Sequence, residues 1–432
     1  MKKVLIITYY WPPSGGAGVQ RWLKFVKYLR EFGWEPVVYT PENPEPPDVD
    51  ETLFKDIPEN LTVIKKPVWE PYTLYKRLTG KKKDKRVAHG FLKEDGKTNF
   101  LEKVSVWIRG NFFIPDARCF WIKPSIRFLT EYLRSNPVDA IVSSGPPHSM
   151  HMIALGIKKK LGIPWLADFR DPWTEIDFYN QLMLTDAANR KHKKLEKEVL
   201  SAADAVVTIG NNLAESLTKL GASNVKVITN GFDADDFGFL PVEIERSFTI
   251  THIGSVNKDR NPEMLWQAMS ELCAENEEMN SKLRLRFVGK VDFSLKYSLD
   301  SHGLMNRTEI IPYLPHQDAL RIAASSAALL LLINQTPNQQ SIVTGKIFEY
   351  LATGRPILCI GPESGDGSMI IRNVNAGVTC EPNDIQALKD GVVRIYKNFT
   401  EGHPGELKDK IGSYNRKYLT MKLSEVLDTI TR

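Results

Sequence analysis

Long apolar runs are missing from this chain of 432 residues. None approaches the roughly 18 consecutive apolar residues that a membrane-spanning helix needs. Cysteine is scarce: Cys119, Cys273, Cys359 and Cys380 are widely spaced and form no CxxC pair. That excludes a Cys-rich zinc site and a disulfide framework, and it fits a reducing cytosol. The opening MKKVLIITYYWPP has too few apolar residues before Thr8 for the core of a signal peptide. Neither GxGxxG nor GxxxxGK[ST] occurs, so the dinucleotide and P-loop fingerprints are both absent. There is no internal repeat and no strong excess of one charge, since the net charge is only +5.

What is present is the composition of a globular protein, with 42% hydrophobic and 25% charged residues, enough for more than one core. Short β-type runs alternate with helical patterns: VLIIT, EPVVYT, VDAIVSS, IPWLADF, ADAVVTIG and VKVITNG, then FTITHIG, LRLRFVG, ALLLLIN and RPILCIG. Buried strands alternating with amphipathic helices define parallel sheets wound by helices. The stretch FDADDFGFLPVEIERS interrupts the alternation, so it marks the joint. The expected arrangement is an N-terminal Rossmann-like domain over 1–238, a second over 245–410, and a last helix over 412–432. Two doubly wound domains imply two crevices at the carboxyl ends of strands.

Charge is concentrated in one place. KRLTGKKKDKR, Lys76 to Arg86, carries seven basic residues against one acidic and follows Trp69, Tyr72 and Tyr75. Farther on, VWIRGNFFIPDARCFW is dense in large aromatics. Basic clusters beside aromatics suit an anionic membrane surface, each cation contributing about 1 kcal/mol there. A solvated loop beside core aromatics is the other reading. No motif accompanies the charge that would suggest nucleic acid.

Four clusters carry chemistry. WPPSGGAGVQRW puts Gly15, Gly16 and Gly18 between the first strand and its helix, where backbone amides and a helix N-terminus favour phosphate. A tight turn without a ligand is the alternative. THIGSVNKDRNPEML ends a strand at Gly254 and follows it with Ser255, Lys258, Arg260 and Pro262, the proline just inside a new helix. Arg260 is a candidate diphosphate partner, because a guanidinium matches phosphate oxygens. TGKIFEYLATGRP places Lys346 and Glu349 on one helical face. As a surface pair they would contribute only about 0.2–0.5 kcal/mol. A carboxylate accepting hydroxyl hydrogen bonds contributes about 1.5–3 kcal/mol, which favours a nucleotide clamp. PWLADFRDPWTE gathers Asp168, Arg170 and Asp171 at a strand end, as an acceptor or sugar contact or as a structural Arg–Asp pair. His148 could line the same crevice, and His316 is a helix-start residue.

TGKIFEYLATGRPIL, GSVNKDRNPEML, ITNGFD and PPSGGAGVQRW together resemble the retaining glycosyltransferases of family four, over nearly the whole chain. That resemblance implies an α/β GT-B fold of two facing Rossmann-like domains with a cleft between them, the terminal helix crossing back to the first. It implies transfer of a sugar from a nucleotide diphosphate sugar, with retention, to a glycan or lipid-linked acceptor of the surface-polysaccharide type, without a metal or a resident cofactor. By the same resemblance Glu349 contacts the donor ribose, and Gly15 and Gly16 line the diphosphate. Arg260 takes the place of a phosphate-binding lysine, and Arg170 that of an active-site histidine. The sequence departs from the pattern at Ser341, where the family's first glutamate falls, and at Ser255, where its arginine falls; Lys346 is a candidate to supply the missing positive charge. The expected setting is cytoplasmic, peripheral on a membrane. The alternatives are a nucleotide-sugar epimerase or phosphorylase of the same fold, or a membrane-docked protein with a degenerate sugar-nucleotide site.

Overall fold

The computed structural model describes residues 1–44, 49–69, 100–240, 242–402 and 410–432. The basic run Lys76 to Arg86 lies outside the described residues. The chain divides into two compact units, Met1–Thr229 with Leu419–Arg432, and Asn230–Tyr418.

The first unit is built on a seven-stranded sheet of β1 (Lys2–Ile7), β2 (Trp34–Pro41), β3 (Thr62–Lys66), β4 (Ala140–Gly145), β5 (Trp165–Phe169), β6 (Ala205–Thr208) and β7 (Val225–Val227), ordered β3-β2-β1-β4-β5-β6-β7. Every pairing is parallel. A parallel sheet needs cover on both faces, and alternate side chains supply it. Leu5 and Ile7 enter one core cluster with Trp121, Ile153 and Trp165. Val4 and Ile6 enter another with Trp22 and Phe25, which Leu419, Leu423 and Leu427 of the helix Arg416–Ile430 complete.

The second unit repeats the pattern with six strands: β8 (Phe248–Ile253), β9 (Leu283–Val288), β10 (Thr308–Ile311), β11 (Ala328–Leu332), β12 (Ile357–Ile360) and β13 (Gly377–Cys380), ordered β10-β9-β8-β11-β12-β13. This too is all parallel. Both sheets are doubly wound and reverse winding direction once, between β1 and β4 in the first and between β8 and β11 in the second. Such a reversal opens a crevice beyond the strand ends, and the candidate residues collect there.

Three strands escape the sequence pattern: β3, β10 and β13. Each is an edge or near-edge strand without the fully buried run of its neighbours, so its apolar signal is weak. Pro262 occupies the N-cap position of the helix Glu263–Glu275 and so precedes it, where an N1 proline was expected. Among the described residues no helix is long and apolar enough to cross a membrane.

Candidate functional site

In the second unit, β8 runs into Gly254, whose φ of 113° lies in the left-handed region that side-chain-bearing residues avoid. A β-carbon at Gly254 would lie 2.5 Å from Lys346 Nζ, so the glycine makes room for the ammonium directly over the strand end. Lys346 arrives there as the first residue of the helix Lys346–Thr353, whose N-cap, Gly345, forms no side-chain cap. Helix N-termini carry partial positive charge, and Lys346 adds a full one. Burial, then Arg260, push the Lys346 ammonium down to about 8, while Glu349 works in the opposite direction.

Arg260 bridges the winding reversal. Its Nε donates to Asn334 Oδ1, just beyond β11, and its Nη1 donates to the carbonyl of Ser255 at 3.2 Å, just beyond β8. Ser255 itself is exposed. Under this loop His252 is fully buried. Its Nδ1 lies 2.9 Å from the Leu330 carbonyl, and burial holds the ring in its neutral form. Sequence reasoning passed over His252, because a histidine inside a β run carries no periodic signal.

Glu349 stands one turn along the same helix, 25% exposed, with His316 Nε2 at 3.8 Å from its Oε1. Burial raises this carboxyl above the usual range; His316 and Lys346 oppose the rise, and Asp236 adds to it. No hydrogen bond reaches the Glu349 carboxylate or the Lys346 ammonium from the described residues. The structure therefore brings Ser255, Arg260, Lys346, Glu349 and His316 together at the carboxyl end of one sheet. Cations cluster at the strand end with an acceptor-only group beside them. That arrangement can hold an anion and a hydroxyl-bearing group next to it. Ser341, in a 3-10 turn at Gln339–Ser341, supplies no charge.

The first unit has its own collection. Gly15 is buried and Gly16 exposed, the latter capping the helix Ala17–Leu29 with φ of 93°. Two residues on, a β-carbon at Gly18 would lie 2.5 Å from Arg170 Nη1. The arginine leans across the glycine turn and donates from Nη2 to the Pro146 carbonyl beyond β4. Asp171 is exposed beside it.

Asp168 separates from this group. It is fully buried and receives Arg21 Nη2 at 2.9 Å, Trp22 Nε1 at 2.7 Å and Ser144 Oγ at 2.9 Å. Three donors on one carboxylate hold it ionised against burial and below its ordinary range, with Arg21 as the chief cation. The structural Arg–Asp pair exists, but its arginine is Arg21 and its place is the core, so Asp168 makes no ligand contact there. His148 is likewise enclosed, 7% exposed and stacked on Trp173 with ring centroids 4.6 Å apart. Burial keeps that ring neutral.

Two family models match this chain segment by segment. Residues 87–236 match Glycosyltransferase Family 4, and residues 241–418 match Glycosyl transferases group 1. No curated protein matches the sequence. Solved structures with the same fold include a glycosyltransferase from Rickettsia africae, 14% identical with a TM-score of 0.63 over 99% of this chain and 98% of that one. Sucrose-phosphate synthase from Thermosynechococcus elongatus is 12% identical at a TM-score of 0.61, covering 100% of this chain and 99% of its own. HepE from Anabaena, solved in complex with UDP-glucose, is 12% identical at 0.60, covering 99% and 100%. At such identities these likenesses establish the fold. With the two family matches, they make the chain a glycosyltransferase of the GT-B architecture.

Proposed function

We propose that this glycosyltransferase binds a nucleoside diphosphate sugar on its second unit and transfers the sugar, with retention of anomeric configuration, to a glycan or lipid-linked acceptor held by its first. The observation that carries the reading is the pairing of Lys346 and Glu349 on one helix, both without a side-chain hydrogen bond among the described residues, beside Arg260 at the winding reversal of the second sheet. Lys346 and Arg260 take the diphosphate, with Ser255 beside it, and Glu349 takes the pentose hydroxyls. The complex of HepE with UDP-glucose supports a sugar nucleotide as the donor class.

In the transfer the bond from the anomeric carbon to the diphosphate oxygen breaks and its electron pair leaves with the nucleoside diphosphate. An acceptor hydroxyl oxygen bonds to the same face of that carbon, and its proton passes to the departing phosphate oxygen. The work of the protein is to hold positive groups where negative charge develops, which stabilises the transition state more than the ground state. Arg260, Lys346 and the start of the helix Lys346–Thr353 are placed for that work. Gly15 and Gly16 offer amides to phosphate, and Arg170 and Asp171 offer a charge pair to the acceptor. No step assigned to these residues calls for a resident cofactor. Attachment to an anionic membrane through the basic run belongs to the same reading, since a lipid-linked acceptor would be met there.

A thermal-shift screen of nucleoside diphosphates and their sugars tests the donor site, because ligands that bind the folded state raise its apparent stability. One nucleotide family is expected to stand out, and to release nucleoside diphosphate only when acceptor is present. Turnover without acceptor would indicate an epimerase instead. No shift with any nucleotide would end the reading.

A further inference from the structure

We propose that the outward aromatic face of the helix Phe100–Phe112, with Trp69, Phe120 and Met183 around it, seats the first unit in the headgroup region of an anionic bilayer. The proposal rests on the lipid-linked acceptor of the reading above and names the side chains that enter the lipid. Trp107, Ile108 and Phe112 of this helix are exposed, Phe112 by 67%. The inner side is formed instead at Gly110, where a β-carbon would lie 2.7 Å from the Leu182 carbonyl oxygen and 2.8 Å from the Leu184 side chain. The glycine lets the helix press on that turn and leaves its large rings facing water. Asn111 fastens the seat, its Nδ2 donating to the Met183 carbonyl at 3.2 Å and its Oδ1 accepting from the Thr185 amide at 2.7 Å. A helix of a globular protein ordinarily turns its apolar stripe to the core, so large residues held outward mark a surface that binds something.

The rings form one patch. Trp107 meets Phe112 with centroids 5.8 Å apart, Phe113 meets Phe120 at 5.8 Å, and Phe120 meets Trp69 at 4.8 Å, each pair edge to face. With Met183, also exposed, the apolar area left in water is on the order of 500 Å², at the upper end for a monomer's largest patch. The rim is basic. Lys103 lies one turn before Trp107 and Lys123 nearly one turn after Phe120, both exposed. Trp69 and Phe100 are also the ends between which the chain carries Lys76 to Arg86, so seven basic residues against one acidic are tethered at this patch. An anionic bilayer answers both parts at once. Its headgroups attract the rim, and aromatic rings settle at the boundary between headgroups and acyl chains.

Cosedimentation of the full chain with phosphatidylcholine vesicles, with and without phosphatidylglycerol, tests this. The native protein is expected to bind the vesicles that contain phosphatidylglycerol. Trp107→Ser and Phe112→Ser should each lower the partition coefficient about tenfold, the effect of burying roughly half an aromatic side chain. Their melting temperature and nucleotide affinity should not change, because both side chains already stand in water. Phe293→Ser, which removes an exposed aromatic of the second unit, should leave partition as it was. Salt screens the rim and not the rings, so the deficit of Phe112→Ser should persist at high salt. The triple variant Lys81→Glu, Lys82→Glu, Lys83→Glu separates the two contributions. Loss of binding there, with none in Trp107→Ser and Phe112→Ser, overturns the aromatic face and leaves attachment through the basic run standing. Absence of vesicle binding by the native protein overturns both and leaves the donor site untouched. Self-association that disappears in Phe112→Ser, in a protein that ignores vesicles, overturns the proposal in favour of a second copy. Lowered melting temperatures in both serine variants without vesicle binding overturn it in favour of cover by the chain itself.

Discussion

Lys346 Nζ lies over the backbone of Gly254, 2.5 Å from where a β-carbon on that residue would stand. The glycine at the end of β8 and the lysine at the start of the helix after β11 are thus one device, and neither can be replaced without the other responding. Gly254→Ala should show this in two ways. The left-handed backbone strain costs about 1–3 kcal/mol, read as a lower melting temperature. The displaced ammonium costs nucleotide affinity, read by calorimetry. Lys346→Met should reproduce the second loss without the first.

Lys346 also sets a pH limit. With its ammonium pushed down to about 8, diphosphate binding should weaken as pH rises through that region, and Lys346→Arg should remove this limb. The stability effect has the opposite sense. A lysine whose folded value is depressed contributes stability above its unfolded value, near 10.4, and loses it as pH falls through about 8. Lys346→Met should therefore gain most over the native protein below pH 8, in denaturant titrations without ligand.

Glu349→Gln separates binding from folding. Burial disfavours the ionised carboxyl, so its folded value is raised. That contribution to stability is present in acid and lost as pH rises through the folded value. The amide should leave melting temperature unchanged or raise it slightly at neutral pH. Affinity for nucleoside diphosphates should fall roughly tenfold to a hundredfold, the loss expected for a charged hydrogen-bond acceptor. A lowered melting temperature with intact nucleotide affinity would make Glu349 a structural residue.

In the first unit, Gly18→Ala should displace the end of the Arg170 side chain, since the new methyl would meet Nη1 at 2.5 Å. The guanidinium can swing aside, and alanine favours the helix by about 0.5–1 kcal/mol. Melting temperature should hold or rise while kcat/KM for the acceptor drops. Unchanged acceptor kinetics would remove Arg170 from the acceptor site.

Asp168→Ala should behave in the contrary manner. It strands Arg21, which is 1% exposed, without its carboxylate. Breaking such a buried pair costs about 3–5 kcal/mol, so urea unfolding should move far to lower concentration while turnover per folded molecule is retained.

The meeting of Arg260, Lys346 and Glu349 at the end of the second sheet was legible because its parts are local. Gly254 to Arg260 and Lys346 to Glu349 each lie on a single strand-to-helix junction, where residue type and helical spacing carry the information. The acidic cluster at Asp168 was ambiguous for the converse reason. Strand β5 ends at Phe169, so Asp168 is enclosed within the sheet while Arg170 lies just beyond it, and the partner of Asp168 comes from 147 residues away. The pairing of His316 with Glu349 was equally hidden, since nothing in either segment refers to the other.

Alternation of apolar strands and amphipathic helices was by itself sufficient to establish two wound parallel sheets, because burying both faces of a sheet leaves a mark in every central strand. Which side chains meet at each winding reversal was decided only by tertiary structure. There, residues from separate strand ends converge, and their distances, burial and charge states depend on how the helices between them pack.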